Sequence, residues 1–590
     1  MCGLIGYIGD EPAAKILSEA LLRLEYRGYD SAGVAIINDG NIFLAKDTGN
    51  VAHVLQECNV EKLKGNLGIG HTRWATHGGV TKENAHPHCD DKMQIAVVHN
   101  GIIENYVELR KRLSRKHEFI SETDTEVIPL LIRDYIDSGL AFELAVFATA
   151  KELKGSYSIL AVSTLDPDKI IAVRNESPLV VGLGEKSNYV GSDVLSFLPY
   201  TKNVVFLSDK EAAVITKDKV CFYNENHEEL SKKVTQIQWD WKTGTKGNYD
   251  HHMLKEIEEQ PQAIRQAIIQ DDKQINRMAI EILRSRQIVF VGCGTSRNAA
   301  LIGRYVFSKI GHVFSDVILG SEFGYFVDSV DKGTLVIAVS QSGETADVLS
   351  GLQKAKAKGA TVFSLVNMMG SSLSRLSDKT LYLNAGPEIG VAATKSFVAQ
   401  LSLLYLLAFA MNGEIENGQK MLRAVSNLIE TDLSYHSSVI PDIVNKIKSK
   451  NDVYFLAKGI NFAMAGEGAL KLKEISYIHA EGLSAGELKH GSLALIEEGT
   501  PLVVICPTDY THTDILSNIM EAKARGGDII GISDSPDPSF DDYIPISKVD
   551  EVLYPMITVV PLQQLAYYCA VARGLDPDKP RNLAKSVTVK

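Results

Sequence analysis

The C-terminal half carries the same succession of strand and helix twice, and this repeat constrains the fold more than any other feature of the chain. Ile288-Val289-Phe290-Val291-Gly292 reads as a buried strand entering a Gly-Thr-Ser turn and a helix. Val453-Tyr454-Phe455-Leu456-Ala457-Lys458-Gly459 does the same ahead of a helix over 463–474. Then come Gly333 to Val339 with a helix over 345–358, and in parallel Gly499 to Cys506 with a helix over 513–525. Both copies reach a basic stretch, Lys356-Ala357-Lys358-Gly359 and Lys523-Ala524-Arg525-Gly526, and return to a strand at 361–366 or 528–532. Apolar strands joined through helices form parallel βαβ units. Two duplicated α/β domains with parallel sheets are therefore expected, over 278–418 and 444–581.

Residues 1–217 are different. Short β-type runs such as Ile95-Ala96-Val97-Val98 and Tyr157 to Val162 gather there, with helical patterns at 12–23, 104–114 and 140–153. That mixture predicts an α+β domain of layered sheets and helices. Between the halves, 218–277 reads as a linker, with the polar segment Trp241 to Gly247, and a docking helix from Met253 interrupted by Pro261. Residues 582–590 follow Pro577 and Pro580 and read as an extended tail.

A length of 590 residues fits about three or four domains. The net charge of −12 and the absence of a long Lys/Arg cluster argue against nucleic acid as a partner. Seven scattered cysteines without a CxxC suit neither a disulfide framework nor a zinc site, so a reducing cytoplasm is expected. No signal peptide is legible, and the apolar stretch Phe397 to Met411 holds Gln400 and Ser402 and is too short for a bilayer span. It reads as a buried helix, and no membrane association is expected.

Cys2 becomes the first residue once Met1 is removed, placing a thiol beside a free α-amine. The amine, with a pKa of about 8, can activate its own thiol without a histidine. An apolar N-terminal strand can also carry a cysteine by accident. Ser340-Gln341-Ser342-Gly343-Glu344-Thr345, with Thr295 and Ser296 after the preceding strand, offers hydroxyls and backbone N–H groups to a phosphate monoester. Helix capping explains the same residues. No lysine makes it a nucleotide P-loop. The second copy reads Pro507-Thr508-Asp509-Tyr510-Thr511-His512, with an acid and no glycine, which points to one phosphate site rather than two.

Glu467, Lys471 and Glu474 are spaced i, i+4, i+7 and share a helical face, either as a surface salt-bridge ladder or as an acid–base set. His490 lies downstream, suited to proton transfer near neutral pH. Lys585 in the tail is a candidate for a Schiff base with a ketone, or a solvated lysine.

Cys2-Gly3, Tyr26 to Gly33, His71 to Gly78, His99-Asn100-Gly101 and Glu122 to Thr125 resemble the class II, N-terminal-nucleophile glutamine amidotransferases. The two repeats resemble sugar isomerase domains. Together, and over essentially the whole chain, they resemble the isomerizing glutamine–fructose-6-phosphate aminotransferase family. The resemblance implies a glutaminase domain whose nucleophile is Cys2 and whose oxyanion hole is the Asn100 side chain with the Gly101 N–H. It places Arg73 on the substrate α-carboxylate, Asp124 on the α-ammonium, Thr76 and His77 among the glutamine contacts, and Trp74 at the gate of an ammonia channel. Sugar-phosphate contacts fall on Thr295, Ser296, Ser340, Gln341, Ser342 and Thr345. Lys585 matches the Schiff-base lysine, Glu474 the base between C1 and C2, Lys471 a supporting lysine, and His490 with Glu467 the ring-opening group.

The family needs no cofactor and no metal, and His86-Pro87-His88 completes no recognisable metal motif. Glutamine and fructose 6-phosphate are the implied substrates, and a homodimer the implied assembly, with His490 supplied by the partner subunit. His252 stands where Phe is usual and Ser492 where Pro is. A phosphoribosyl-transferring amidotransferase would need an acidic pyrophosphate loop, which is not found. A sugar-phosphate sensor would not need the acid–base residues.

Overall fold

The structure, a computed structural model, describes residues 2–237 and 244–588. Met1, the Trp241–Thr243 part of the polar segment, and Val589 and Lys590 of the tail lie outside the described residues. The chain forms two compact units, 1–243 with 584–590, and 244–583.

In the first unit, two antiparallel sheets stack. One has eight strands in the order 235–236, 203–206, 180–183, 187–191, 3–9, 67–73, 31–38, 41–48. The other has seven, in the order 229–230, 220–223, 211–215, 166–175, 155–163, 95–103, 88–89. Strand Ile95–Ile103 shows the side-chain alternation that builds the layers. Ala96 and Val98 face Leu4, Ile69, Val181 and Val190 of the first sheet. Ile95 and Val97 face the other way, onto helices Val127–Asp137 and Phe142–Glu152. Helix Ala13–Leu24 lies on strands 3–9 and 67–73. The result is the expected α+β layering of sheets and helices.

Two features of this region depart from the expected linker at 218–277. Val220–Tyr223 pairs with Glu211–Ile215, and Thr235–Gln236 pairs with Asn203–Phe206, so both sheets continue past 218. The polar residues around 216–219 form a hairpin turn, Thr216 N–H donating to Lys219 C=O at 2.9 Å. Beyond 244, the helical run is interrupted at Glu259, just before Pro261. This proline sits in the first turn of Gln260–Ala267, where its missing N–H has no partner to lose, just after helix His252–Glu258. A third helix, Asp272–Arg284, follows.

The second unit holds two five-stranded parallel sheets of the same order. Numbering the strands of each sheet along the chain, that order is 2-1-3-4-5: 316–319, 287–292, 334–340, 361–366, 379–382, and 479–484, 452–457, 500–505, 527–533, 542–545. Such sheets bind ligands outside the carboxyl ends of the strands where the order reverses, here between the first and third. A single apolar core runs through both repeats, joining Phe290 and Ile337 to Phe455 and Val503. At its centre is helix Lys395–Met411, all 17 residues buried, as a helix apolar on every side must be. Among the described residues no helix is long and apolar enough to cross a membrane. The interval between the repeats is helix Ile415–Ile447, 33 residues long, rather than a loop.

Candidate active sites

The first unit brings three strand ends to one place. Strand Gly3–Gly9 starts directly after Cys2 and pairs with Leu67–Arg73 in the register Gly3 with Thr72. Cys2 therefore emerges beside Arg73 and Trp74. From the other sheet, Ile95–Ile103 delivers His99, Asn100 and Gly101. Cys2, Arg73, Trp74, Thr76, His77, Gly101 and Asp124 line one small cavity, with His86, His99, Thr123 and Thr125.

Trp74 N–H donates to the Cys2 Sγ at 3.2 Å. Burial pushes the Cys2 thiol pKa up, while the Trp74 N–H and the Arg73 charge pull it down. Asn100 Nδ2 donates to the Cys2 carbonyl at 3.0 Å, so its amide N–H side faces the nucleophile's backbone. Gly101 has φ +126°, and a Cβ there would come within 1.9 Å of the Ser156 carbonyl oxygen. No other residue fits. The Arg73 guanidinium donates to the carbonyls of His77 (2.6 Å), Gly78 (3.2 Å) and Gly79 (3.0 Å). Asp124 Oδ2 accepts the Ile103 N–H at 2.8 Å.

Several residues behind this cavity carry no sequence signal beyond their runs. His71 Nε2 lies 3.0 Å from both the His99 carbonyl and Asn100 Oδ1. Burial drives its pKa down to about 3. Lys46, buried, spreads its ammonium over the carbonyls of Glu83, Ala85 and Pro87 at 3.1, 2.6 and 3.1 Å, fixing the segment that carries His86. His86 stacks on His71 with ring centres 4.1 Å apart and meets His88 edge-on at 4.8 Å. Among the described residues, no three His, Cys, Asp or Glu side chains are arranged to hold a metal ion.

In the second unit the reversal point of the first sheet lies between the loops after Gln287–Gly292 and Thr334–Ser340. These loops are the ones that carry Thr295, Ser296 and Ser340 to Thr345. Ser340 Oγ accepts the Gly343 N–H at 3.0 Å and Ser342 Oγ the Glu344 N–H at 3.2 Å, which holds the loop open around its own backbone. Ser296 Oγ accepts Gln400 Nε2–H at 2.9 Å. Thr295, expected among the sugar-phosphate contacts, also meets the acid–base residues of the second repeat. Its hydroxyl is buried and donates to Glu467 Oε1 at 3.0 Å while accepting from Lys471 Nζ at 3.0 Å.

Helix Phe462–Ser476 does carry Glu467, Lys471 and Glu474 on one face, and it is no surface ladder. Glu467 and Lys471 are fully buried, and Lys471 Nζ donates to Glu474 Oε2 at 2.6 Å. Burial raises the Glu467 pKa, opposed by Lys471, Asn298 and Thr295. Burial lowers that of Lys471, but Glu474 and Glu467 outweigh it and the net shift is upward.

In the second repeat the corresponding loop is filled by the chain itself. Asp509 accepts from the Thr511 N–H (2.7 Å), its hydroxyl (2.6 Å) and Asn461 Nδ2 (3.0 Å). Asp534 takes the N–H and hydroxyl of Thr508.

His490 is exposed at the end of the 3-10 turn Ala485–His490 and bonds to none of Glu467, Lys471 and Glu474. Ala485 and Leu488 anchor that turn in the core, which turns Lys489 and His490 outward. Lys585, half-buried, belongs to the first unit rather than the second. Of the two departures, His252 opens helix His252–Glu258 with its N–H on Asp578 Oδ2 at 2.7 Å, and Ser492 opens the 3-10 turn Ser492–Leu495.

The comparisons agree with this division. A glutamine amidotransferase domain family matches residues 71–199, and the SIS domain family matches 281–410 and 446–573. A solved C-terminal domain of glucosamine-fructose-6-phosphate aminotransferase from Francisella tularensis is 36% identical. It covers 57% of this chain and 100% of its own, with a TM-score of 0.53. The architecture is thus a glutamine amidotransferase joined to a duplicated SIS unit. Glutamine–fructose-6-phosphate aminotransferases (isomerizing) from Thermococcus kodakarensis and Aquifex aeolicus are 47% and 46% identical over 100% of both chains. The chain belongs to the glutamine–fructose-6-phosphate aminotransferase (isomerizing) family.

Proposed function

We propose that this protein converts glutamine and fructose 6-phosphate into glutamate and glucosamine 6-phosphate. The observation that carries the reading is the placement of Cys2 against Asn100, Gly101, Arg73 and Asp124 in a chain whose other unit joins buried Glu467 and Lys471 to half-buried Glu474 and also carries a phosphate-type loop. Cys2 attacks the glutamine amide carbon, and the developing oxyanion takes hydrogen bonds from Asn100 Nδ2 and Gly101 N–H. Arg73 exchanges loop carbonyls for the substrate α-carboxylate, a bidentate acceptor that matches its fork. Thr76 and His77 line the same bound glutamine, and Asp124 takes its α-ammonium. Ammonia leaves past Trp74, and water hydrolyses the thioester.

Ser296, Ser340, Gln341, Ser342 and Thr345 hold the sugar phosphate at the helix N-termini. Lys585 forms the Schiff base at C2, ammonia replaces the lysine, and Glu474 carries the proton between C1 and C2. Lys471 supports the carboxylates. The α-amine of Cys2 acts as base only after Met1 is removed, since with Met1 attached it is an amide. Seven free cysteines suit a cytoplasmic setting. We further propose a homodimer, because His490 is exposed and away from its expected partners.

Incubating the protein with both substrates is expected to give the amino sugar phosphate, and no such product would overturn the reading. Cys2→Ala is expected to lose glutamine-dependent synthesis by at least about 10³-fold while fructose 6-phosphate isomerization persists.

A further inference from the structure

Glu467 is fully buried, yet its two oxygens are held in different ways. Oε1 takes the Thr295 hydroxyl and lies 3.6 Å from Lys471 Nζ. Oε2 takes Asn298 Nδ2–H at 2.7 Å. Thr295 and Asn298 both stand in the first turns of helix Gly294–Lys309, on the first repeat, whereas Glu467 belongs to the second. The bonds form a directed chain, with Lys471 donating to Thr295, Thr295 donating to Glu467 Oε1, and Asn298 donating to Oε2.

An amide NH2 donates and cannot accept. If Oε2 were protonated, its O–H would meet the N–H of Asn298 head-on, and a buried donor left without an acceptor is costly. Protonation at Oε1 would make the Thr295 hydroxyl, which already accepts from Lys471, accept from Glu467 as well and give up its own acceptor, and at Oε2 Asn298 cannot accept without turning its own oxygen onto the carboxylate. We propose that Asn298 is a positioning residue for the sugar reaction, the donor that pins Glu467 as a carboxylate between the two repeats. The inference rests on the proposed sugar chemistry of this helix.

Asn298 adds no charge, so it fixes the carboxylate without neutralising it, unlike Lys471. The other charged groups around this pair are Glu474 on the same helix and Glu388, from the segment before helix Lys395–Met411, which acts on Lys471. Glu388 is itself occupied by the N–H groups of Thr394 and Ser396. Asn298 is neutral, as is Thr295, but it alone of the two cannot become an acceptor by rotating a hydroxyl, and replacing it by an acid reverses the hydrogen bond while barely changing shape. Two carboxyl oxygens at this distance must share a proton.

The test uses the full-length protein and its Asn298→Asp and Asn298→Gln variants. Asn298→Asp is expected to lower kcat for fructose 6-phosphate isomerization about tenfold or more, with KM within about threefold, and to displace the pH profile. Asn298→Gln, which still donates, should recover part of kcat. Glutamine hydrolysis without sugar, read in the same samples, reports that the protein is folded. An infrared difference spectrum, variant minus parent near neutral pH, should show a new protonated carboxyl band. An unchanged pH profile, or no such band, would overturn the inference. A parent that shows no isomerization while the band appears would instead overturn the proposed function and leave Asn298 as the donor that sets the charge of Glu467.

Discussion

Nε2 of His71 faces two acceptors, the His99 carbonyl and Asn100 Oδ1, so it must carry the proton of the ring. That choice turns the Asn100 amide so that its NH2 looks toward Cys2. The orientation of the Asn100 amide is therefore set by a neutral histidine. Its folded pKa, near 3, lies below the value of about 6.5 for an unfolded histidine. Between these limits the unfolded chain binds a proton that the folded chain refuses. The stability contributed is full above about pH 6.5 and is lost as pH falls toward 3. His71→Phe is expected to lower the glutaminase kcat by about tenfold or more. Its melting temperature should also fall less steeply than the parent's between pH 6 and 4. Identical slopes in thermal melts across that range would refute the assignment.

At the scale of elements, the phosphate-type loop depends on one backbone conformation. Gly343 has φ +67°, and a Cβ there would come within 2.3 Å of Ser371 Oγ and 2.7 Å of Val366 Cγ2. An alanine must move the loop or adopt a left-handed conformation that costs about 1–2 kcal/mol. Gly343→Ala is expected to raise KM for fructose 6-phosphate about tenfold while glutamine hydrolysis keeps its rate, and steady-state kinetics on both substrates would show whether it does.

This loop was legible from local chemistry alone, as were the parallel strands, because apolar runs and glycine turns are short-range signals. The hairpin strand Val220–Tyr223 was not, since nothing in four residues says which strand they will pair with. No element was expected in the interval between the two repeats, where helix Ile415–Ile447 stands. Thr295 illustrates what local chemistry leaves out. Its position in a strand-to-helix turn marked it for phosphate, and the bond from its hydroxyl to Glu467, 172 residues away, carried no local signal. Asn298 carried no signal for the same reason.

For the whole molecule, the placement that bears on assembly is that of His490. It lies in the same unit as Glu467 and Glu474, yet a turn anchored by Ala485 and Leu488 leaves it exposed. On the proposed ring-opening role, a side chain turned away from Glu467 and Glu474 of its own chain is best used by a neighbour. If a second copy supplies it, each site in the dimer combines Glu474 of one chain with His490 of the other. His490→Ala and Glu474→Gln should each be inactive in the sugar reaction as pure proteins. Co-expressed, they should regain activity. In a mixed dimer one site pairs the intact Glu474 with the intact His490, and the other site has neither. With random pairing, half of the dimers are mixed and half of their sites complete, so about a quarter of the parent activity should return. If His490 served its own chain, every site would lack one group and nothing would return. The ratio of co-expressed to parent activity decides between these arrangements, and in mixed dimers isolated by two different affinity tags it should rise to about a half.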